Sequence, residues 1–172
     1  MRSRHTDEPK AVTKQKELVL HQALRQAGVS FEYQFHLPFK SCGLDSETTR
    51  AFVDFAIPKS WGYILLECDE DQHRGYDPSC DVRRDFDMAA SIALGSEHKL
   101  LIVRYNPDGY RVGGKTRVEG KKDRMTRLLA LLEHEPVAFE RVFLCYDQDE
   151  RASLPQVAAS WDVSAREVSR VA

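Results

Sequence analysis

Two stretches decide the fold: Ala51-Phe52-Val53-Asp54-Phe55-Ala56-Ile57 and, past a turn at Pro58, Lys59 and Ser60, Gly62-Tyr63-Ile64-Leu65-Leu66-Glu67-Cys68-Asp69. Each is a short apolar run bounded by turn residues, the pattern of a buried strand, and the tight link between them predicts a hairpin. Upstream, Phe31, Tyr33 and Phe35 alternate with polar neighbours, which predicts a third strand. Before it, Leu18, Leu20, Leu24 and Ala27 recur near helical spacing within Val12 to Ala27, and Gly28 supplies a stop. Downstream, residues from Asp81 to Leu94 read as a helix closed by Gly95, and Lys99 to Tyr105 as an apolar strand. A segment carrying Gly109, Gly113, Gly114 and Gly120 follows, and then a basic amphipathic helix through Leu132. The order α-β-β-β-α-β predicts an α/β fold, a mixed β-sheet flanked by helices.

A chain of 172 residues, 42% hydrophobic and 30% charged, can bury one sizeable core. One catalytic domain over residues 12–135 and an appendage over 136–172 are expected. No apolar run reaches the roughly 20 residues needed to cross a bilayer, and MRSRHTDEPK is polar where a secretory signal is apolar. No membrane partner is expected. Cys42, Cys68, Cys80 and Cys145 are scattered, with no CxxC pair, and read as reduced thiols of an intracellular protein in cytoplasm or nucleus. Between Arg104 and Arg127 lie eight basic residues against three acids, a local balance of +5 that leaves −7 for the rest of a chain of net charge −2. An acidic body with one basic stretch suits an enzyme that holds a cation in carboxylates and a phosphate backbone elsewhere; a solvated loop and helix face reads equally well.

The chemistry sits on the hairpin. Asp54 falls inside an apolar strand, where a lone carboxylate is costly to bury without a partner. Glu67 and Asp69 are two apart at the end of the next strand and so share a face. Asp54, Glu67 and Asp69 together offer three hard oxygen donors, a predicted site for Mg2+ or Mn2+. His73 lies just beyond, and its ordinary pKa near 6.5 suits a general base that takes a proton from an attacking water.

This arrangement resembles the restriction-endonuclease-like PD-(D/E)XK superfamily, and within it the very-short-patch-repair endonucleases and the EDxHD-type homing endonucleases. In that branch a helix glutamate precedes spaced leucines and a glycine, matched here by Glu17, Leu24 and Gly28. An aspartate follows in a VDF-like strand, here Val53-Asp54-Phe55, and a histidine lies six residues past the end-of-strand ligand, here His73 after Glu67. An arginine-bearing helix running into a buried strand is matched by Asp81-Val82-Arg83-Arg84-Asp85 and Leu100-Leu101-Ile102-Val103-Arg104. The resemblance covers roughly residues 12 to 135 and implies a divalent-metal-dependent DNA endonuclease with Glu17, Asp54, Glu67, Asp69 and His73 in its active centre. The lysine of the (D/E)XK strand is replaced by Asp69, so the resemblance passes activation of the nucleophile to His73. Cys68, His73 and Cys80 do not match the spacing of the repair enzymes' zinc ligands, and no zinc is expected.

DNA is the expected partner. Arg83 and Arg84 are candidates for phosphate contact or for pairing with the site acids, Arg104 and Asn106 open the loop into the basic segment, and Lys115 and Arg117 are candidates for backbone contact. Near the C-terminus, residues 154–170 resemble a helix-turn-helix unit, with Asp162 at its turn, Ser164 as cap and Arg166 and Arg170 facing DNA. A terminal helical hairpin packed on the main domain reads the same stretch. Two other functions remain open: a catalytically silent nucleic-acid-binding module, and a metal-dependent hydrolase of small phosphoesters, against which the basic stretch argues.

Overall fold

The computed structural model describes residues 15–38, 50–73, 78–93, 98–147 and 162–163. Helix α1 (Gln15–Gln26) leads to strands β1 (Glu32–Pro38), β2 (Arg50–Lys59) and β3 (Gly62–Cys68), a tight turn at Glu70–His73, helix α2 (Pro78–Ala93) and strand β4 (Lys99–Tyr105). A hairpin of β5 (Tyr110–Val112) and β6 (Lys115–Arg117), helix α3 (Lys121–Leu131), strand β7 (Phe139–Leu144) and the two-residue β8 (Asp162–Val163) follow. The predicted order of helix, three strands, helix and strand is present, and the fold is a mixed α/β one. Among the described residues, no helix is long and apolar enough to cross a membrane.

The main sheet has the order β1-β2-β3-β4-β7-β8. Strands β1, β2 and β3 pair antiparallel in succession, while β3, β4, β7 and β8 run parallel. Parallel neighbours need a crossover, and α2 supplies the one between β3 and β4. Entry into β3 depends on Gly62, whose φ of 150° and close approach to β4 leave no room for a side chain. A Cβ there would lie 2.0 Å from the Lys99 carbonyl oxygen.

Helices cover both faces. On one, Leu20 and Leu24 of α1 and Leu128, Leu131 and Leu132 at α3 pack on Phe55, Ile57, Ile64, Leu66, Leu101, Val103, Val142 and Leu144. On the other, Met88 of α2 packs on Val53, Ala56, Leu65, Leu100 and Ile102. The central strands β3 and β4 are therefore buried on both sides, which is why their sequences read as continuous apolar runs rather than alternating ones. Each fully buried Leu or Ile in these layers contributes roughly 1.5–3 kcal/mol through loss of exposed apolar surface.

Three sequence expectations change. Helix α1 buries Glu17, Leu20 and Leu24, whereas Leu18 is 39% exposed. The stripe at spacings of three and four thus begins on a carboxylate, and Leu18 falls on the outer face. The sheet also continues past residue 135, because β7 pairs with β4 from Leu100–Phe139 to Tyr105–Leu144. Finally, Asp162, placed by the sequence at the turn of a helical hairpin, is extended in β8 against Arg141. That pairing covers an edge of β7 that would otherwise present bare backbone groups. Residues 154–161 and 164–170, with Ser164, Arg166 and Arg170, lie outside the described residues.

Candidate active site

Alternation along β1 and β2 breaks at one place. Residues two apart on a regular strand share a face, yet Val53 packs on the α2 side and Phe55 on the α1 side. Across from them, Tyr33 packs against Phe55 with the rings tilted and 5.4 Å between centroids, while Phe35 packs on the α2 side. The pairing itself runs through without slipping, from Tyr33–Phe55 to Phe35–Val53. Gln34 absorbs the break with a φ of 51°. In that register the residue opposite it is Asp54.

Asp54 accepts the backbone N–H of Cys68 through Oδ2 at 2.8 Å, in the peptide that joins Cys68 to Glu67. Its other oxygen faces the Gln34 amide at 3.4 Å. The same amide donates to Glu17 Oε1 at 2.5 Å, and the Tyr33 hydroxyl donates to that oxygen at 2.7 Å. Glu17, Gln34 and Asp54 thus form one connected group at the open end of the hairpin. Glu17 and Asp54 are both buried despite their charge.

Glu67 lies on the α2 side, where Arg84 Nη2 binds both Glu67 Oε1 at 2.9 Å and the Phe52 carbonyl at 2.6 Å. Of the two uses open to Arg84 in the sequence, pairing with a site acid is the one it has here. Burial pushes the Glu67 carboxyl up to about 8; Arg84 and Arg104 pull it down, and Asp54 and Asp69 add to the rise.

Asp69, expected as a third oxygen donor beside Asp54 and Glu67, is committed elsewhere. Its Oδ2 accepts Arg104 Nε at 2.5 Å and the Tyr146 hydroxyl. Arg104, expected at a DNA surface, is 1% exposed. It spans Asp69 and Asp85, and Asp85 also meets Arg141 at 2.5 Å. Asn106, expected on the same surface, is fully buried and ties the loop after β4 together by donating to the Cys145 carbonyl at 2.7 Å. Both sit inside because β4 is flanked on both edges. Among the described residues, no three His, Cys, Asp or Glu side chains stand as a ready cation cluster.

The turn after β3 is strained. Asp71 (φ 53°, ψ 31°) and Gln72 (φ 57°, ψ 26°) are both left-handed, a conformation costing of order 1–3 kcal/mol at a residue that is not glycine. Surrounding bonds hold it: Asp71 N–H donates to Asp108 Oδ2 at 2.8 Å, and Gln72 exchanges two bonds with Asp147. His73 closes this turn. The side chains of His73 and Arg83 lie outside the described residues.

The basic stretch divides in two. Arg124 is buried and donates to the carbonyls of Asn106 and Asp108, and Arg127 pairs with Glu119. Arg111, Lys115, Arg117, Lys121 and Lys122 are exposed on the small hairpin and the start of α3. Gly113 and Gly114, at φ 56° and 73°, make the two-residue turn that presents Lys115.

Two residues important here carry no clear mark in the sequence. Gln34 looks like an ordinary polar position of an alternating strand, and its positive φ has no local signal. Tyr146 lies beyond the expected catalytic boundary, although the apolar run Val142-Phe143-Leu144-Cys145-Tyr146 is a usable strand signal.

No family model and no curated protein matches the chain. Among solved structures it is similar to a crystal structure titled a protein of unknown function, AF1548, at 5% identity and a TM-score of 0.35, over 74% of this chain and 56% of that one. The chain thus spans a little over half the length of that structure.

Proposed function

We propose that this chain is a divalent-metal-dependent DNA endonuclease of the PD-(D/E)XK kind, acting at the open end of the β2–β3 hairpin. The observation that carries the reading is a pair of buried carboxylates, Asp54 bonded to the Cys68 N–H and Glu67 in the adjoining residue, with Glu17 tied to Asp54 through the Gln34 amide, beside a strained turn that ends in His73.

The donor set fits a hard cation, because Mg2+ takes oxygen ligands and is commonly held by only one or two carboxylates together with substrate phosphate and water. Asp54 and Glu67 are those two; Asp69, engaged with Arg104, instead anchors the end of β3. When bound, the cation would polarise a phosphate and make an attacking water more acidic. The protein's own groups do the rest. Glu17, fixed by Tyr33 and Gln34, holds the Asp54 side of the site in place. Arg84 is 30% exposed at its side chain and within reach of both Glu67 and solvent, so it can follow a phosphate. His73 takes the proton as the water oxygen bonds to phosphorus, and the ester P–O bond on the far side breaks. Lys115 and Arg117 neutralise phosphates away from the chemistry.

Incubation with supercoiled plasmid tests this directly. Relaxed or linear product should appear with Mg2+ or Mn2+, disappear with chelator, and be lost in Asp54→Ala. Plasmid that is bound yet uncut under every metal condition would instead favour a silent binding module.

A further inference from the structure

The buried carboxylate of Asp147 joins two parts of the molecule that the sequence keeps far apart. Asp147, 2% exposed, accepts the Gln72 side-chain amide at 3.2 Å through Oδ1. The same oxygen accepts the backbone N–H of Arg111 at 2.5 Å, in the middle of β5. Its own N–H donates back to Gln72 Oε1 at 2.8 Å. Arg111 pairs with Thr116, between Lys115 and Arg117 on β6. A second tie runs parallel to the first. Asp108, just before β5, accepts the Asp71 N–H at 2.8 Å and Lys16 Nζ at 2.5 Å. Each of the two left-handed residues before His73 is therefore anchored to the base of the basic hairpin.

A carboxylate placed only to close the end of β7 would need none of this reciprocity with Gln72. We propose that Asp147 is a positioning residue that couples the β5–β6 hairpin to the turn carrying His73, so that a phosphate backbone seated on the hairpin is registered against that turn. The inference rests on the reading of His73 as the proton acceptor and of the hairpin as the DNA surface. Hairpin and turn move as one unit, and DNA that finds the hairpin has found the catalytic register. Such a link matters because a misplacement of about 1 Å can cost on the order of 100-fold in rate.

Amide hydrogen exchange on the full chain separates this coupling from the activity. In the free protein, Gln72→Ala should speed exchange at the Arg111 amide, across the Asp147 bridge. Unchanged Arg111 exchange overturns the coupling whether or not the protein cuts DNA. With short duplex DNA and Ca2+, the wild type should gain protection at both the hairpin and residues 71–72, whereas Asp147→Ala should keep the first gain and lose the second. In cleavage assays Asp147→Ala should lower kcat on the order of 10- to 100-fold with KM little changed. Asp147→Asn, which keeps the acceptor oxygen, should recover most of it. Equal protection of the turn in Asp147→Ala, or a loss shared by KM and kcat that Asn does not rescue, refutes the proposal. Gln72→Ala carries the same comparison if the aspartate variant does not fold. A wild type that never cuts DNA would defeat the endonuclease reading and leave the free-protein exchange to decide the coupling.

Discussion

Replacing Glu67 by Gln should make the metal-free protein more stable at alkaline pH while disabling it. Glu67 is 3% exposed, and burial, reinforced by Asp54 and Asp69 against Arg84 and Arg104, moves its carboxyl from an ordinary 4.5 to about 8. A group whose folded pKa lies above its unfolded one keeps its proton on folding. The stability this gives is fully present below about pH 4.5 and is lost as pH rises toward about 8. At about 1.4 kcal/mol per unit the whole shift sets a ceiling near ~5 kcal/mol. Because Arg84 is 30% exposed and can follow the carboxylate as it ionises, a loss of about 1–3 kcal/mol is expected. Gln keeps the acceptor oxygen that Arg84 uses and removes the titration. Urea unfolding of chelator-treated protein from about pH 5 to pH 9 should show wild-type stability falling and Glu67→Gln changing less, with the variant the more stable of the two above pH 8. Excess Mg2+ should then restore the wild type, by roughly 2.7 kcal/mol at a hundred times Kd, and leave the variant where it was. A wild type as stable at pH 9 as at pH 5 without metal, or a variant with the same slope, would refute the reasoning.

Two further outcomes follow from the site. His73→Ala should slow cleavage by roughly 10²- to 10⁴-fold with metal and DNA affinity unchanged, and it should abolish the acidic limb of the pH–rate profile; a wild-type rate, or a loss traced to metal affinity, would place the base elsewhere. Replacing Lys115 and Arg117 together should flatten the salt dependence of DNA binding by roughly one unit of log slope for every phosphate left without its cation, and an unaltered slope would take the hairpin out of the interface.

Much of the fold is legible in the sequence because its signals are local. The two apolar runs around Pro58 to Ser60 can form little else than a hairpin, and Lys99 to Tyr105 reads as a buried strand from composition alone. What escapes depends on partners distant in sequence. Strand β7 opens with Phe139, Glu140 and Arg141, and its charged start becomes sensible only once Asp85 of α2 stands beside Arg141. The short β8 is too small to carry a pattern. At the site, Asp54 and Glu67 are readable as acids in apolar company. The role of Asp69 is not, since whether a strand-end carboxylate meets a cation or an arginine is settled by the neighbouring strand. That neighbour is Arg104, which the sequence offers as a surface residue because its charge, in isolation, says so.

Asp69 and Glu67 differ in how their burial is compensated. Both are buried at the end of β3, and both sit on the same face by alternation. Asp69 has its charge answered by the Arg104 guanidinium and the Tyr146 hydroxyl, and its backbone is pinned as well, by a bond from its N–H to the Tyr105 carbonyl at 2.8 Å. Asp85 is answered by Arg104 and Arg141. Removing one partner from such a pair leaves an uncompensated buried charge and costs about 3–5 kcal/mol. Glu67 is bonded by Arg84, which is partly in solvent, and feels Arg104 without a bond to it, with Asp54 one peptide away. Burial raises its carboxyl despite both arginines, and it lies where β3 ends, next to a turn held in a conformation its residues disfavour.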